Sequence, residues 1–301
     1  MARFEVARIT TDGSTARANR PSTTLGWRIW RLVRLLLCTY LLLVLSMLWF
    51  ENFLIFPAPR YPQGNWEPPG VEIEDVFFES SDGTRLHGWY LDHPSPRCYL
   101  LYCHGNGEHV AYLSELLRLL HDEFELAVFT FDYRGYGRSE GSPDEAGVLR
   151  DGRAAHVWLA QRARLEPDEV VLMGRSLGGA IAVNLAASNG AQALVLESTF
   201  TSIPDVAARI YWWAPVRLLM RTQFNSHYQI QQYHGPLLQS HGTHDGLVPL
   251  DLGQRLFAAA PSDQKEFFEI PGADHNDPQT REYYWTLDQF LQRLPRRPSV
   301  K

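Results

Sequence analysis

The sequence predicts a mainly parallel α/β sheet covered by helices on both faces, preceded by one membrane-spanning helix. Three observations carry this reading. Short, nearly continuous apolar runs (CYLLYCH, ELAVFTFDY, EVVLMGRS, ALVLES, PLLQSHG and KEFFEIPG) alternate with longer helical stretches. Strands buried on both faces read this way, and crossover helices cover them. Ahead of that series, VEIEDVFFES and RLHGWYLD flank Ser81-Asp82-Gly83, the signature of an antiparallel hairpin. Nearer the N-terminus, residues 35–50 carry no charge and are half leucine.

In chain order, residues 1–34 form a basic arm with seven arginines against Glu5 and Asp12. Residues 35–56 are a transmembrane anchor and its exit. The sixteen residues of the charge-free run reach only about 24 Å as a helix, short of a hydrocarbon core of roughly 30 Å. Trp27, Trp30, Arg31 and Arg34 extend it on one side, and Trp49 and Phe50 anchor the other. A cleaved signal peptide or a buried helix of the body are the alternatives. Against cleavage, no small-x-small site follows Ser46, and Leu37 precedes Cys38 where a lipoprotein cysteine needs a small residue. The arginines place the N-terminus in the cytoplasm and the body across the membrane, in a periplasm, a lumen or the exterior.

Residues 57–70 are dense in Pro and Gly and read as a linker lying over the surface. The body runs from 71 to 301 as one α/β domain, with helices expected near 109–121, 143–164, 177–188, 250–259 and 281–294. Ser142 is the expected N-cap of the second, with Pro143 at its first position and Glu145 at its third. A stretch of about 200–235 is too short for a large cap domain and reads as a small lid. There Tyr211, Trp212 and Trp213, followed by Leu218, Leu219 and Met220, either line an acyl pocket or pack internally. Cys98 and Cys103 lie five apart in one strand, so they face opposite sides and cannot pair with each other. A net charge of −6 leaves no basic footprint for nucleic acid.

Two segments match G-x-S-x-G: Gly137-Arg138-Ser139-Glu140-Gly141 and Gly174-Arg175-Ser176-Leu177-Gly178. A nucleophile elbow needs a strand running into a sharp turn that opens a helix, with small neighbours that let the turn close. VVLM before the second match and LGGAIAVNLAAS after it meet that need, whereas the first lies in a glycine-rich loop. Ser176 is therefore the candidate nucleophile. A serine hydroxyl needs an imidazole to take its proton, and the imidazole needs an acid to fix its tautomer. Asp245 in HGTHDGLVP and His275 in GADHND each follow a strand and complete the order Ser, Asp, His. Glu197, ending ALVLES, is the rival acid. Asp274 and Asp277 read as loop-forming carboxylates, and the spacing of His241 and His244 matches no zinc motif. The backbone amides of Leu177 and of Asn106, within His104-Gly105-Asn106-Gly107, are the expected oxyanion donors.

HGNG, DYRGYGRSEG, GRSLGG, HGTHDGLVP and PGADHND stand in an order that resembles the serine hydrolases of the α/β-hydrolase superfamily. The likeness is greatest to a membrane-anchored branch that includes fungal cell-polarity proteins and lipid or acyl-protein thioesterases. That resemblance implies an eight-stranded sheet and the same roles for Ser176, Asp245, His275, Asn106 and Leu177, and it makes DYRGYGRSEG a structural loop. It implies an acyl ester or thioester substrate, no cofactor and no metal, with membrane lipid met through the N-terminal helix. A serine peptidase or amidase, and a membrane-tethered binding module without activity, are the competing functions.

Overall fold

The computed structural model describes residues 25–70 and 72–295; most of the basic arm, and Val71, lie outside them. The chain divides between Ser46 and Met47 into an N-terminal unit and the body. The first is dominated by α1 (Leu25–Trp49), whose 25 residues extend about 37 Å at the usual helical rise. Its most apolar window has a mean hydropathy of 2.2, and by length and composition it is able to cross a membrane. Arg31 and Arg34 each stack on the tryptophan one turn back, Trp27 and Trp30, which covers their apolar stems.

The body opens with α2 (Glu51–Ile55), the hairpin β1 (Glu74–Glu79) and β2 (Arg85–Leu91), then β3 (Tyr99–Cys103), α3 (Ser114–Asp122), β4 (Ala127–Phe131) and α4 (Glu145–Ala163). There follow β5 (Val171–Arg175), α5 (Leu177–Asn189) and β6 (Ala193–Glu197), and three short helices, α6 (Ile203–Ile210), α7 (Val216–Leu219) and α8 (Ser226–Gln229). The chain ends on β7 (Leu237–Gly242), α9 (Leu250–Ala259), β8 (Lys265–Ile270) and α10 (Arg281–Gln292). All eight strands form one sheet in the order β1-β2-β4-β3-β5-β6-β7-β8. The pairs β1–β2 and β2–β4 are antiparallel and the rest parallel, so β3, β5, β6 and β7 all deliver their C-terminal ends to one edge.

Alternate residues along each strand feed two separate cores. One face packs on α4, α5 and α9 through residues such as Leu101, Leu172, Ile181 and Leu252; the other packs on α3 and α10 through Leu100, Met173, Leu117 and Leu287. Cys103 belongs to the first core and Cys98 to the second, as their spacing requires. α5 is buried along most of its length, which suits a helix of Leu, Ile, Val, Ala and Gly with no polar face.

One detail differs from the expectation. α4 begins at Glu145, not Pro143, because Asp144 is the N-cap: its carboxylate accepts the Gly147 amide at 2.6 Å, leaving Ser142-Pro143 in the preceding loop. Residues 57–70 lie over the surface, most of them exposed, and are tied to the body at a few points. Phe56 is buried and meets Phe224 edge to face, Arg60 donates to the Gly135 carbonyl at 2.9 Å, and Trp66 stacks on His109.

Candidate active site

β5 ends one residue before Ser176, and α5 begins one residue after it. Between them Ser176 takes φ 52° and ψ −116°, which costs energy for any residue with a Cβ and persists only where its surroundings enforce it. The enforcement is steric and polar. A Cβ on Gly174 would overlap the Gly178 carbonyl, one on Gly178 the Cys103 carbonyl, and one on Gly179 the side chain of Thr199. Those glycines let α5 start hard against the sheet. The Ser176 amide donates to the Glu197 carbonyl at 2.9 Å, and the Ser176 carbonyl accepts Thr199 Oγ1 at 2.8 Å and the Gly179 amide at 3.0 Å.

The loop after β7 carries Asp245, and the loop after β8 carries His275. His275 Nε2 lies 3.1 Å from Ser176 Oγ, and His275 Nδ1 lies 2.8 Å from Asp245 Oδ2. A carboxylate only accepts, so Nδ1 carries the proton and Nε2 turns its lone pair to the serine. Asp245 Oδ1 accepts the Leu247 and Val248 amides at 3.0 and 2.7 Å, and His241 Nε2 approaches Oδ2 at 3.4 Å. Burial alone would raise this carboxyl. Hydrogen bonds from His241 and His275, with the Val248 amide, outweigh burial and hold it well below the usual carboxylate range. All three side chains are buried or nearly so.

Leu177 is the first residue of α5, so its amide has no carbonyl to meet within the helix. On the neighbouring strand, β3 delivers His104 to Gly107. The Gly105 amide donates to Glu108 Oε2 at 2.8 Å; Asn106 accepts Tyr136 Oη at 2.7 Å and donates its side-chain amide to the Ile55 carbonyl. Tyr133 Oη donates to the His104 carbonyl at 2.7 Å and stacks on its ring. The loop is thus fixed from both sides, one of them being the stretch that leads in from α1.

The remaining candidates fall elsewhere. Glu197 is buried, its carboxyl pushed up first by desolvation. It lines a cavity of about 510 Å³ with Arg175, Glu108 and Gln279 and makes no hydrogen bond to His275. Ser139 is buried in the DYRGYGRSEG loop, donating to the Asp132 carbonyl at 2.6 Å and accepting the His87 amide at 2.9 Å. Trp212 is 83% exposed, standing out into solvent, while Tyr211 and Trp213 pack edge to face. His244 is exposed beside Thr243.

Several residues that position the site carry no sequence signal of their own. Arg175 donates to the His275 carbonyl at 2.7 Å. Asp274 accepts the Gly246 and His275 amides at 2.8 and 2.7 Å, joining the acid loop to the base loop. Glu51 and Glu145 bind four consecutive backbone amides after α7: Glu51 takes Arg221 and Thr222 at 3.0 and 2.6 Å, and Glu145 takes Gln223 and Phe224 at 2.6 and 2.7 Å. An acidic residue at a helix start signals only a favourable helix dipole, so the long-range partners are invisible in sequence.

The family described as serine aminopeptidase, S33, matches residues 94–231. The α/β-hydrolase domain-containing protein WAV2 of Arabidopsis thaliana is 33% identical over 243 residues, covering 73% of this chain and 79% of that protein. Protein bem46 of Schizosaccharomyces pombe is 30% identical over 257 residues, 80% of this chain and 86% of its own. Among solved structures, the esterase Pf2001 of Pyrococcus furiosus superposes with a TM-score of 0.65 at 21% identity, over 79% of this chain and 99% of that one. With the eight-stranded sheet and identities of 30% or more over most of each relative, the chain belongs to the α/β-hydrolase family.

Proposed function

We propose that this protein is a membrane-anchored serine hydrolase that cleaves carboxylic esters or thioesters through an acyl-enzyme on Ser176. The observation that carries the reading is the unbroken path from Ser176 Oγ to His275 Nε2 and from His275 Nδ1 to Asp245, at 3.1 and 2.8 Å, on a strained strand-to-helix turn. His275 takes the serine proton as Oγ attacks the acyl carbon. The resulting oxyanion accepts from the backbone amides of Leu177 and Asn106. His275 then returns the proton to the departing oxygen or sulfur, and water, activated by the same imidazole, releases the acid. Asp245 stays ionised throughout, as its lowered pKa favours, and stabilises the imidazolium. No step in this sequence calls for a cofactor.

The apolar helix and the arginines before it support anchoring through α1, with the N-terminus in the cytoplasm and the body opposite, as part of this proposal. Protease added on the cytoplasmic side then leaves the body intact, and digestion there would reverse the orientation. A peptidase on the same framework is the second reading, favoured by the description of the matching family. Reporters with one acyl group and an ester, thioester or amide leaving group separate the two. We expect turnover of ester and thioester with amide cleavage far slower; amide cleavage at a similar kcat/KM would favour the peptidase. Folded protein that cleaves none of them would leave a binding module.

A further inference from the structure

The body carries an apolar surface that its own fold does not use. α2 is two-faced: Glu51 is buried at 5% exposure, while Phe50, Phe53 and Leu54, spaced to share one side, stand in the open, Phe53 at 79%. Trp49 before them is 82% exposed. The stretch between β6 and β7 carries exposed apolar residues of its own, Trp212 and Leu218 at 83% and 77%. This stretch and α2 are bound to each other. Glu51 accepts the Arg221 and Thr222 amides, Arg221 Nη2 donates to the Leu48 carbonyl at 2.6 Å, and Leu218 lies three residues before Arg221, within about 10 Å along the chain. The chain from Tyr211 to Met220 runs through successive hydrogen-bonded turns, so Trp212 and Leu218 belong to one folded stretch.

We propose that this joint surface, from Trp49 through Leu54 together with the exposed edge around α7, seats in the headgroup and acyl boundary of a phospholipid bilayer. The proposal rests on reading α1 as the membrane span, and the place where that span ends chooses lipid as the occupant. Trp49 is the last residue of that helix, so the apolar side of α2 begins where the span leaves the hydrocarbon, the level that aromatic side chains favour. The consequence reaches the site, because the Ile55 carbonyl at the end of α2 accepts the Asn106 side chain in the oxyanion loop.

The test uses the full chain in nanodiscs containing anionic lipid, in a Cys38→Ser background, with an environment-sensitive fluorophore on a single introduced cysteine. The variants are Leu41→Cys in α1, Trp212→Cys and Leu218→Cys in the patch, and Trp285→Cys as an exposed position elsewhere on the body. Quenching by spin-labelled lipid at Leu41, Trp212 and Leu218, with Trp285 unquenched, is the expected result. Quenching at Leu41 alone would overturn the surface while leaving the anchor intact. Probes at Trp212 and Leu218 that are shielded from water yet unquenched by lipid would assign the patch to a protein partner and overturn it too. Absence of quenching at Leu41 would remove the span and the proposal with it. None of these readings depends on turnover, so they fail separately from the hydrolase reading.

Discussion

Ser176 and Ser139 both stand in G-x-S-x-G, both are nearly or fully buried, and both have a histidine bonded to an aspartate close by. What separates them is which atoms meet. At Ser176 the imidazole of His275 faces the hydroxyl with one nitrogen and the Asp245 carboxylate with the other. At Ser139 the nearest part of His87 is its backbone amide, and the hydroxyl spends its own proton on the Asp132 carbonyl. The His87 ring is held between Asp132 Oδ2 at 2.8 Å and Asp75 Oδ1 at 3.0 Å, so neither nitrogen is left to accept a proton from serine. The Val110 and Arg138 amides complete Asp132, and the missing side chain at Gly137 makes room for its carboxylate. The same three residue types therefore form a chain able to relay a proton in one place, the basis of the proposed activity, and a structural knot in the other. A serine is activated by a free imidazole lone pair, not by the company of His and Asp.

The largest contrast is in turnover. Ser176→Ala is expected to lower kcat by about 10⁴ to 10⁶-fold with folding retained. Ser139→Ala leaves kcat of the folded protein within a few fold and instead lowers stability by about 1–3 kcal/mol, through two buried hydrogen bonds lost. Steady-state hydrolysis beside urea unfolding measures both. The aspartates extend the comparison. Asp245→Asn, which favours the wrong tautomer of His275, costs about 10⁴ in kcat. Asp132→Ala leaves His87 buried with one carboxylate fewer and costs about 3–5 kcal/mol of stability instead.

The fold needed for these expectations was legible because β3 to β8 are apolar runs broken by helix starts, and the candidates Ser176, Asp245 and His275 stood out because each follows a strand in a fixed order. The DYRGYGRSEG loop was legible as structural, but not its partners: His87 and Asp75 sit in a hairpin that carries no motif. Glu51 was read as part of the exit from a membrane helix, yet it is buried and bound to amides 170 residues away in sequence. Pro and Gly in residues 57–70 signalled irregular surface backbone correctly, without revealing that Phe56 just before it is buried or that Arg60 donates to the Gly135 carbonyl. Composition reports local conformation; contacts between segments far apart in the chain leave no local trace.

Acid gives a smaller contrast. His156 is buried against the Pro167 carbonyl, and desolvation lowers its pKa from 6.5 to about 4. The unfolded chain thus binds a proton that the folded one refuses. Stability contributed by the neutral ring is full above pH 6.5 and falls by about 3 kcal/mol as the pH drops to 4. Burial pushes the Asp75 and Asp132 carboxyls up, but His87 outweighs it and holds both below their usual range, so their contribution is lost only below about pH 4. Urea unfolding across pH shows two limbs, and His156→Met removes the upper one. Smallest is Arg175→Gln, which frees the His275 carbonyl and is expected to lower kcat by a modest factor, worth about 1–2 kcal/mol, with KM little changed.

The central claim, that one of two look-alike serines is activated, is tested most directly by mapping a fluorophosphonate adduct on the folded full-length protein by peptide mass spectrometry. The account predicts the adduct on Ser176, in the peptide containing GRSLGG, and none on Ser139. An adduct on Ser139, or folded protein with no adduct at either serine, would contradict it.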